Sequence, residues 1–332
     1  MKQSVELSPR NEAIRKNGVF RRLLKPEMII VIMLITVVGV GSGISNRFLD
    51  GAFLLDFMTI YVELGIIALA YTFLMISGEM DLSVASNMAF ILCLVAVLFE
   101  RGLPMEAAMG IGVICAVLLG LLNGVIVVLS GIPSLIITLG TMISFRGMAQ
   151  VLIYENSIAG FPEWFNRVDK HRVFGFLPAT ILLFIVLVIV LEIILKRTFW
   201  GRKMFAIGTS AEVARYSAIK VDKMKIFVFG MVGLFCGIAA ILTMSRLTLS
   251  KYAIGAGAEL DVIIMVLMGG TAFSGGRGSV VGTAFAFVVT VFIRAAMMLV
   301  NLGGAQQMMV LGMILILVII ASTKLQELEK RR

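Results

Sequence analysis

Long apolar runs recur throughout this sequence, and they reach about 17–25 residues, the length at which an α-helix crosses a bilayer. Hydrophobic residues make up 60% of the 332 residues and charged residues 15%, whereas an ordinary soluble domain is roughly 25% charged. A soluble fold has too little interior to hide so much apolar surface from water. The sequence therefore predicts an all-α, polytopic membrane protein.

We expect about ten transmembrane helices, some of them discontinuous. They lie near Met28–Ile44, Leu55–Ile76, Ser83–Phe99, Ala108–Ser130, Pro133–Ile153, Phe176–Leu195, Ile226–Met244, Leu260–Met268, Val280–Val300 and Gln306–Ala321. The eighth is too short to cross the bilayer as a continuous helix. The first follows a charged segment and has no small-residue cleavage site after it, so we expect a retained span and not a signal peptide.

The basic residues are clustered, although the chain as a whole carries a net charge of +9. Of the 29 Lys and Arg residues, seven precede the first span, eight lie from Lys196 to Lys225, and four lie in the last nine residues. Positively charged loops are retained in the cytoplasm. This distribution predicts a cytoplasmic N-terminal segment at 1–27, a transmembrane domain at 28–322 with a cytoplasmic loop at 196–225, and a cytoplasmic tail at 323–332. The loop at 154–175 should then be external.

The motifs argue against several classes of function. The basic residues are distributed like anchors of the loops between spans, so we expect no nucleic acid partner. The sequence contains neither G-x-x-x-x-G-K-[ST] nor HExxH, and its three cysteines are scattered within apolar runs, so phosphate-loop and zinc sites are not expected. The single histidine, His171, lies in a loop, whereas an intramembrane serine protease would need a histidine base inside the spans. We expect no catalysis, metal or cofactor in this chain.

Nine ionisable residues lie in or beside the apolar runs. They are Asp56, Glu63, Glu79, Asp81, Arg146, Glu259, Asp261, Arg277 and Arg294. A charge at the bilayer centre costs at least about 2.5–3.5 kcal/mol, so each of them should face protein, water or a counter-charge. Two interpretations remain open, a polar pathway lined by these residues or their pairwise neutralisation between packed helices, for example Glu63 with Arg146.

Two glycine-bearing, polar breaks interrupt the apolar runs, at Ser77–Ser83 and Gly269–Ser279. Backbone without helical partners is tolerated at membrane depth only inside protein or beside a watery cavity, and broken helices form substrate sites in many transporters. The alternative is that both breaks are cytoplasmic turns, where the order of spans places them. The residues that we assign to a translocation pathway or a structural break are Gly78, Glu79, Asp81, Ser83, Glu259, Asp261, Gly269, Gly270 and Arg277.

The inner loop contains a sequence typical of a helix start. Thr209-Ser-Ala-Glu212 has the form of a capping box, in which the side chains of Thr209 and Glu212 satisfy the first free amides. The residues that follow can continue as about two turns of helix. A short capped helix in the cytoplasm suits docking to a soluble partner, although an ordinary surface helix has the same pattern.

These stretches resemble the permease subunits of ribose-type bacterial ABC importers, which take up simple sugars and related small molecules. Gly78-Glu-Met-Asp-Leu-Ser-Val84 is similar to the family signature G-G-x-D-L-S-V. The stretch 201–221 resembles the family's inner-loop pattern, and 259–279 is similar to a third motif, so the resemblance covers about residues 50–320. Glu79 and Ala85 depart from the family pattern, since many members have glycine or another small residue at the first position and glycine is common at the second.

The resemblance implies partners that the residues alone do not. It implies a second permease subunit, identical or homologous, a cytoplasmic ATPase subunit that holds ATP and Mg, and an external solute-binding protein. It also implies that the helix after Thr209 is the element that couples the ATPase to transport, with Glu212, Arg215 and Tyr216 as contacts. The chain would then be the permease subunit of an ATP-driven importer of a simple sugar or related small polar solute in the bacterial inner membrane.

A second class of function remains open, a secondary transporter or channel that works alone. It accounts for the spans and the membrane charges but gives no reason for the capped basic loop. The sequence does not identify the solute, and it does not distinguish a homodimer from a heterodimer.

Overall fold

The structure is a computed structural model that describes residues 26–173 and 175–330. The helices are α1 (Pro26–Ile44), α2 (Gly51–Ile76), α3 (Val84–Glu100), α4 (Met105–Ser130), α5 (Ser134–Ile153), α6 (Glu163–Asn166), α7 (Ala179–Arg197), α8 (Phe199–Thr209), α9 (Ala211–Tyr216), α10 (Val221–Leu247), α11 (Ala258–Met268), α12 (Val280–Leu299) and α13 (Gly304–Lys330), with a 3-10 turn at Asn46–Leu49. The strands are β1 (Ile158–Ala159), β2 (Arg172–Val173), β3 (Leu177–Pro178) and β4 (Leu249–Ser250). Most of the predicted N-terminal basic segment, up to residue 25, and the last two residues of the predicted tail lie outside the described residues.

The helices follow the apolar runs of the sequence, which confirms an all-α polytopic membrane protein. Within the described residues, six helices are long and apolar enough to cross a bilayer, namely α2, α4, α5, α7, α10 and α12. Shorter apolar stretches lie in α1, α3 and α13. Helix α11 has 11 residues and is too short to cross, as expected. A helix occupies each predicted position, but the count of ten crossings stays a prediction.

Helix α2 forms the centre of the bundle. From Gly65 to Ile76 every residue is buried, which is typical of a helix that is apolar all round. It packs against α7, α10, α11 and α12. The break that follows α2 is therefore partly enclosed by protein, with Ser77, Glu79, Asp81 and Ser83 buried and Gly78 exposed.

Helices α4 and α10 approach each other closely through glycines. A Cβ built on Gly120 would lie 3.1 Å from the Cα of Gly233, and it would overlap the carbonyl oxygen of Phe229. Small residues allow such backbone contact between helices in a membrane, where dispersion forces replace the hydrophobic effect. This contact positions Asn123 of α4 beside the first break.

Helix α7 runs from one end of the bundle to the other, so the loops before and after it lie at opposite ends. We call the end that carries residues 154–178 the outer end, and the end that carries residues 198–220 the inner end. At the outer end β1 pairs with β4 in antiparallel register, Ile158 opposite Ser250. Phe165 of α6 is fully buried, and the neighbouring Trp164 remains exposed.

Candidate functional site

The two breaks predicted from the sequence lie against each other at the inner end. We call Ser77–Ser83, Gly269–Ser279 and Gly208 together the inner junction. The amide of Gly276 donates to the carbonyl oxygen of Ile76 at 2.9 Å, which joins the second break to the end of α2. Gly78, Gly270, Gly275 and Gly276 have φ between 77° and 86°, a conformation that favours glycine. Both breaks are therefore specific backbone structures that contact each other.

Helix α8 of the inner loop closes this junction. A Cβ on Gly208 would overlap both the carbonyl oxygen of Ile76 and the amide nitrogen of Gly276. No side chain fits at Gly208, so the backbone of the inner loop touches both breaks at one point. A displacement of α8 must consequently displace the end of α2 or the second break, because packed elements do not deform continuously.

An ion pair links the first break to α10. The Nζ of Lys225 bonds to Oε1 of Glu79, and both side chains are largely buried. Many members of the family that this sequence resembles have a small residue where this chain has Glu79. In this chain, Lys225 supplies the counter-charge of Glu79. Sequence reasoning placed Lys225 in the basic loop and missed the pairing, because the two residues are 146 positions apart.

A buried carboxylate organises the remainder of the first break. Oδ1 of Asp81 accepts from the amide of Ser83 at 2.7 Å and from its hydroxyl at 2.6 Å. Nδ2 of Asn123 donates to Ser83 Oγ at 2.8 Å and to Oδ2 of Asp81 at 3.4 Å. All three side chains are almost completely buried, so this network holds the start of α3 against α4.

Side chains from two helices satisfy the free amides of the break. The amide of Met80 donates to Ser134 Oγ at 3.0 Å, and that of Leu82 donates to Thr138 Oγ1 at 3.1 Å. The amide of Asp81 donates to the hydroxyl of Tyr71 at 3.0 Å. Non-helical backbone that is buried in protein requires such partners. In the sequence, only the hydroxyl residues at the start of α5 pointed to these partners. They were not sufficient to predict which amides they would bond.

The inner loop begins its second helix one residue later than predicted. The N-cap of α9 is Ser210, whose Oγ accepts from the amide of Val213 at 3.3 Å. The predicted capping box of Thr209 and Glu212 is wrong, because α8 continues through Thr209 and its hydroxyl donates to the carbonyl of Phe205 at 2.8 Å. The short helix itself is present.

Helix α9 presents an exposed face with a polar and an aromatic component. Tyr216 is 85% exposed and Val213 is 63% exposed, whereas Ala214 is buried against α8 and α10. The Nη2 of Arg215 donates to Oδ1 of Asp222 at 2.6 Å on the surface. The structure thus shows an unburied tyrosine at the tip of a helix that is tied to the inner junction through α8.

A pocket of about 300 Å³ lies between α2, α10, α11 and α12, towards the outer end. Its charged lining residues are two acids and two bases, which form two ion pairs, so we call it the ion-pair pocket. Nε of Arg246 donates to Oε1 of Glu63 at 2.7 Å. Nη2 of Arg294 donates to both oxygens of Asp261, at 2.6 and 2.7 Å, and its guanidinium lies 4.9 Å from the ring centre of Tyr61.

The predicted pairing of Glu63 with Arg146 is wrong. Arg246, near the end of α10, pairs with Glu63 instead. Nη1 of Arg146 donates to the carbonyl oxygens of Tyr252 and Ile254, at 2.6 and 2.8 Å, and so anchors the loop before α11. Glu259 lies in the first turn of α11. The sequence does not indicate which of several distant charges meet, because helix packing decides it.

Two other predicted charges, Asp56 and Arg277, lie away from the buried network of Asp81, as does Asp169 of the outer loop. Asp56 accepts from Arg172 of the outer loop at 2.6 Å in an exposed ion pair. The carbonyl oxygen of Arg277 accepts from the amide of Ala272 at 3.0 Å within the second break. In the outer loop, burial raises the pKa of Asp169, and the nearby Arg246 opposes that shift. These residues do not lie with the buried network of Asp81.

Sequence reasoning also missed Glu192 of α7. Its Oε2 accepts from the amides of Val280 and Val281, at 3.0 and 3.3 Å, at the start of α12. A carboxylate at a helix N-terminus is favourable because the free amides carry partial positive charge. In the sequence, Glu192 could have been recognised as the single acidic residue inside an apolar run.

Comparisons with known proteins identify a family and several relatives of this chain. Residues 53–319 match the family model described as the permease component of the branched-chain amino acid transport system. The autoinducer 2 import system permease protein LsrD of Yersinia pseudotuberculosis serotype O:1b (strain IP 31758) is 32% identical over 286 residues, which cover 84% of this chain and 85% of that protein. The LsrD protein of Yersinia enterocolitica serotype O:8 is 31% identical over 301 residues, 89% of this chain and 90% of the relative. No solved structure matches the chain significantly.

Proposed function

This chain belongs to the family of permease components of branched-chain amino acid transport systems, and from that premise we propose how it carries its solute and what it binds. The chain is the membrane permease subunit of an importer, which confirms the function expected from the resemblance. We propose that it serves an ATP-driven importer of a simple sugar or a related small polar solute in the bacterial inner membrane. The observation that carries the proposal is the inner junction, where the exposed inner loop touches both helix breaks.

The ion-pair pocket supports a small, uncharged, polyhydroxyl solute. Its two ion pairs leave no net charge among the charged lining residues, and their oxygens and guanidinium groups can bond hydroxyl groups. Within the described part of the chain, the buried Nε–H of Arg294 has no acceptor, and such a donor calls for a polar partner. The volume of about 300 Å³ suits a ligand of sugar size. The relatives are named for import of autoinducer 2, and this too favours a small polar cargo.

Helix α9 is the proposed contact with a cytoplasmic ATPase subunit. Tyr216 is its aromatic anchor, since exposed tyrosines are enriched among interface hot spots. Glu212 and Arg215 are the polar contacts, and Thr209 belongs to the α8 end that transmits the motion. ATP and Mg would be held by that partner.

Transport then requires alternation between two arrangements of the bundle. Motion of α9 passes through α8 and Gly208 to the breaks at Gly78–Ser83 and Gly269–Arg277. These breaks end α2 and α11, the helices that carry Glu63, Asp261 and Glu259 at or near the ion-pair pocket. A second permease subunit, identical or homologous, and an external solute-binding protein complete the proposed assembly.

The coupling role of α9 can be tested with paired substitutions. Tyr216→Ala should weaken ATPase binding by about 2 kcal/mol or more, roughly 30-fold, as expected for a hot-spot aromatic. Tyr216→Phe should retain most of the binding. The measurements are pull-down of the ATPase, solute-stimulated ATP hydrolysis and uptake in reconstituted vesicles.

Arg215 needs a further control because it pairs with Asp222. Arg215→Glu should detach or uncouple the ATPase, and the double variant Arg215→Glu with Asp222→Arg tests whether only the local pair matters. Full recovery in the double variant, together with wild-type behaviour of Tyr216→Ala, would show that α9 is not the coupling element. Uptake by the unmodified chain without any ATPase would favour the alternative, a secondary transporter or channel.

The proposed orientation places the inner end in the cytoplasm, with both termini and the loop at 196–225. In a cysteine-free background, Lys170→Cys at the outer end should react with an impermeant thiol reagent in intact cells. Ser217→Cys at the inner end should react only after lysis. Both side chains are exposed, so accessibility is matched. Labelling of Ser217→Cys in intact cells would reverse the orientation.

A further inference from the structure

A second cavity, of about 400 Å³, lies at the inner end between α8 and the start of α10. Three lysines line it, Lys203 from α8 with Lys220 and Lys223 at the start of α10. Two aromatic rings complete the wall, Trp200 and Phe227. We call this the lysine cavity, and it shares no lining residue with the ion-pair pocket.

The lysines of this cavity differ from other lysines nearby. Lys196 pairs with Glu192, and Lys225 pairs with Glu79. Within the described residues, Lys203, Lys220 and Lys223 have no acidic partner. Three lysines line one cavity whose lining contains no acidic residue, which favours an anion there.

The aromatic wall indicates how the cavity lies relative to the membrane. The rings of Trp200 and Phe227 meet edge to face, 4.6 Å between centres. Phe227 is 55% exposed and lies where the apolar part of α10 begins, one turn beyond Lys223. Phe199, at the start of α8, is 78% exposed, with the guanidinium of Arg202 over its ring. The cavity therefore combines aromatic rings with lysines where the apolar part of α10 begins, a combination typical of a membrane interface.

We propose that the lysine cavity binds the phosphate head group of an anionic phospholipid of the cytoplasmic leaflet. The lysines bond the phosphate, and Trp200 and Phe227 contact the glycerol and the first part of the acyl chains. Basic pockets on the cytoplasmic side of membrane proteins take such head groups. The inference rests on the proposed orientation of the inner end, and it does not depend on which solute is carried.

The site has a consequence for the inner loop. Lys203 lies on α8, one and a half turns before Gly208. A lipid bound between Lys203 and Lys223 would bridge α8 and α10 at the helix that closes the inner junction. We expect bound lipid to stabilise the protein against thermal unfolding for that reason.

The experiment uses the full chain purified in mild detergent. The test variant carries Lys203→Gln, Lys220→Gln and Lys223→Gln, and the control carries Arg101→Gln, Lys170→Gln and Lys251→Gln. Each removes three exposed positive charges, and the control residues lie away from the cavity. Bound phosphatidylglycerol is counted by native mass spectrometry, and its affinity is measured from the shift of the thermal midpoint on titration.

We expect the unmodified chain and the control to retain the lipid, and the test variant to bind it at least about tenfold more weakly. The single variants Lys203→Gln and Lys223→Gln should each show part of the loss. Phosphatidylcholine at the same concentration should not produce the shift. Inorganic phosphate serves as the soluble comparison.

Equal retention of phosphatidylglycerol by the test variant would overturn the proposal. An equal shift with inorganic phosphate would assign the site to a free anion and overturn it as well. Unchanged lipid binding with loss of ATPase pull-down would assign the lysines to the ATPase interface instead. Lipid binding is measured on the lone chain, so failure of the importer proposal in the uptake assays would leave this result unaffected.

Discussion

Gly208→Ala should abolish most transport, although alanine is the better helix former. The added methyl group has no space, because it would overlap the carbonyl oxygen of Ile76 and the amide nitrogen of Gly276. Both atoms belong to backbone, so no side-chain rotation relieves the overlap. Overpacking of this kind costs about 1–3 kcal/mol. If the transport barrier rises by the same amount, we expect uptake to fall roughly 5- to 160-fold.

Gly110→Ala is the matched control, since nothing lies within 4 Å of a Cβ built there. It should transport normally. Uptake in vesicles and the thermal midpoint in detergent are measured for both variants, with ATPase pull-down in parallel. We expect Gly208→Ala to retain ATPase binding through α9 while it loses transport. Wild-type uptake by Gly208→Ala would show that contact between α8 and the breaks is not required for the transport cycle.

Asp81→Leu should strongly destabilise the protein. Leucine accepts no hydrogen bond, so the amide and hydroxyl of Ser83 and the side-chain amide of Asn123 would lose an acceptor in a buried place. Each buried donor left unsatisfied costs about 1–3 kcal/mol. We therefore expect a lowered thermal midpoint, reduced membrane insertion and little uptake.

Asp81→Asn should be milder, because its amide oxygen can still accept from Ser83. Asp56→Leu is the control for removal of an acid, since the pair of Asp56 with Arg172 is exposed and such pairs contribute about 0–1 kcal/mol. The thermal midpoint and uptake are compared at equal expression. If Asp81→Leu matched Asp56→Leu in both, the buried network would have no structural role in the first break.

Much of the candidate site was predictable because it is local in sequence. The breaks at Ser77–Ser83 and Gly269–Ser279 were recognisable from polar and glycine residues between apolar runs. The short helix after Ser210 was also recognisable, although Thr209 was wrongly taken as its cap. A capping residue depends on where the preceding helix ends, and α8 extends one residue beyond the predicted start.

The partners of the membrane charges were not predictable. Glu63 meets Arg246 and not Arg146, and Glu79 meets Lys225. Each of these residues shows that a counter-charge is needed, since an isolated charge in a membrane is costly. Several distant residues of opposite charge could supply it. A single sequence does not show which helices are neighbours, so it does not select among them.

The sequence by itself determined that this chain is a helical, polytopic membrane protein with two interrupted helices. Hydropathy decides this, because every backbone polar group in lipid must be satisfied within a helix or by neighbouring protein. Only the tertiary structure decided that Ser134, Thr138 and Tyr71 satisfy the first break, and that Gly208 brings the inner loop against both breaks. These contacts join residues distant in the chain, and their geometry follows from how the helices pack.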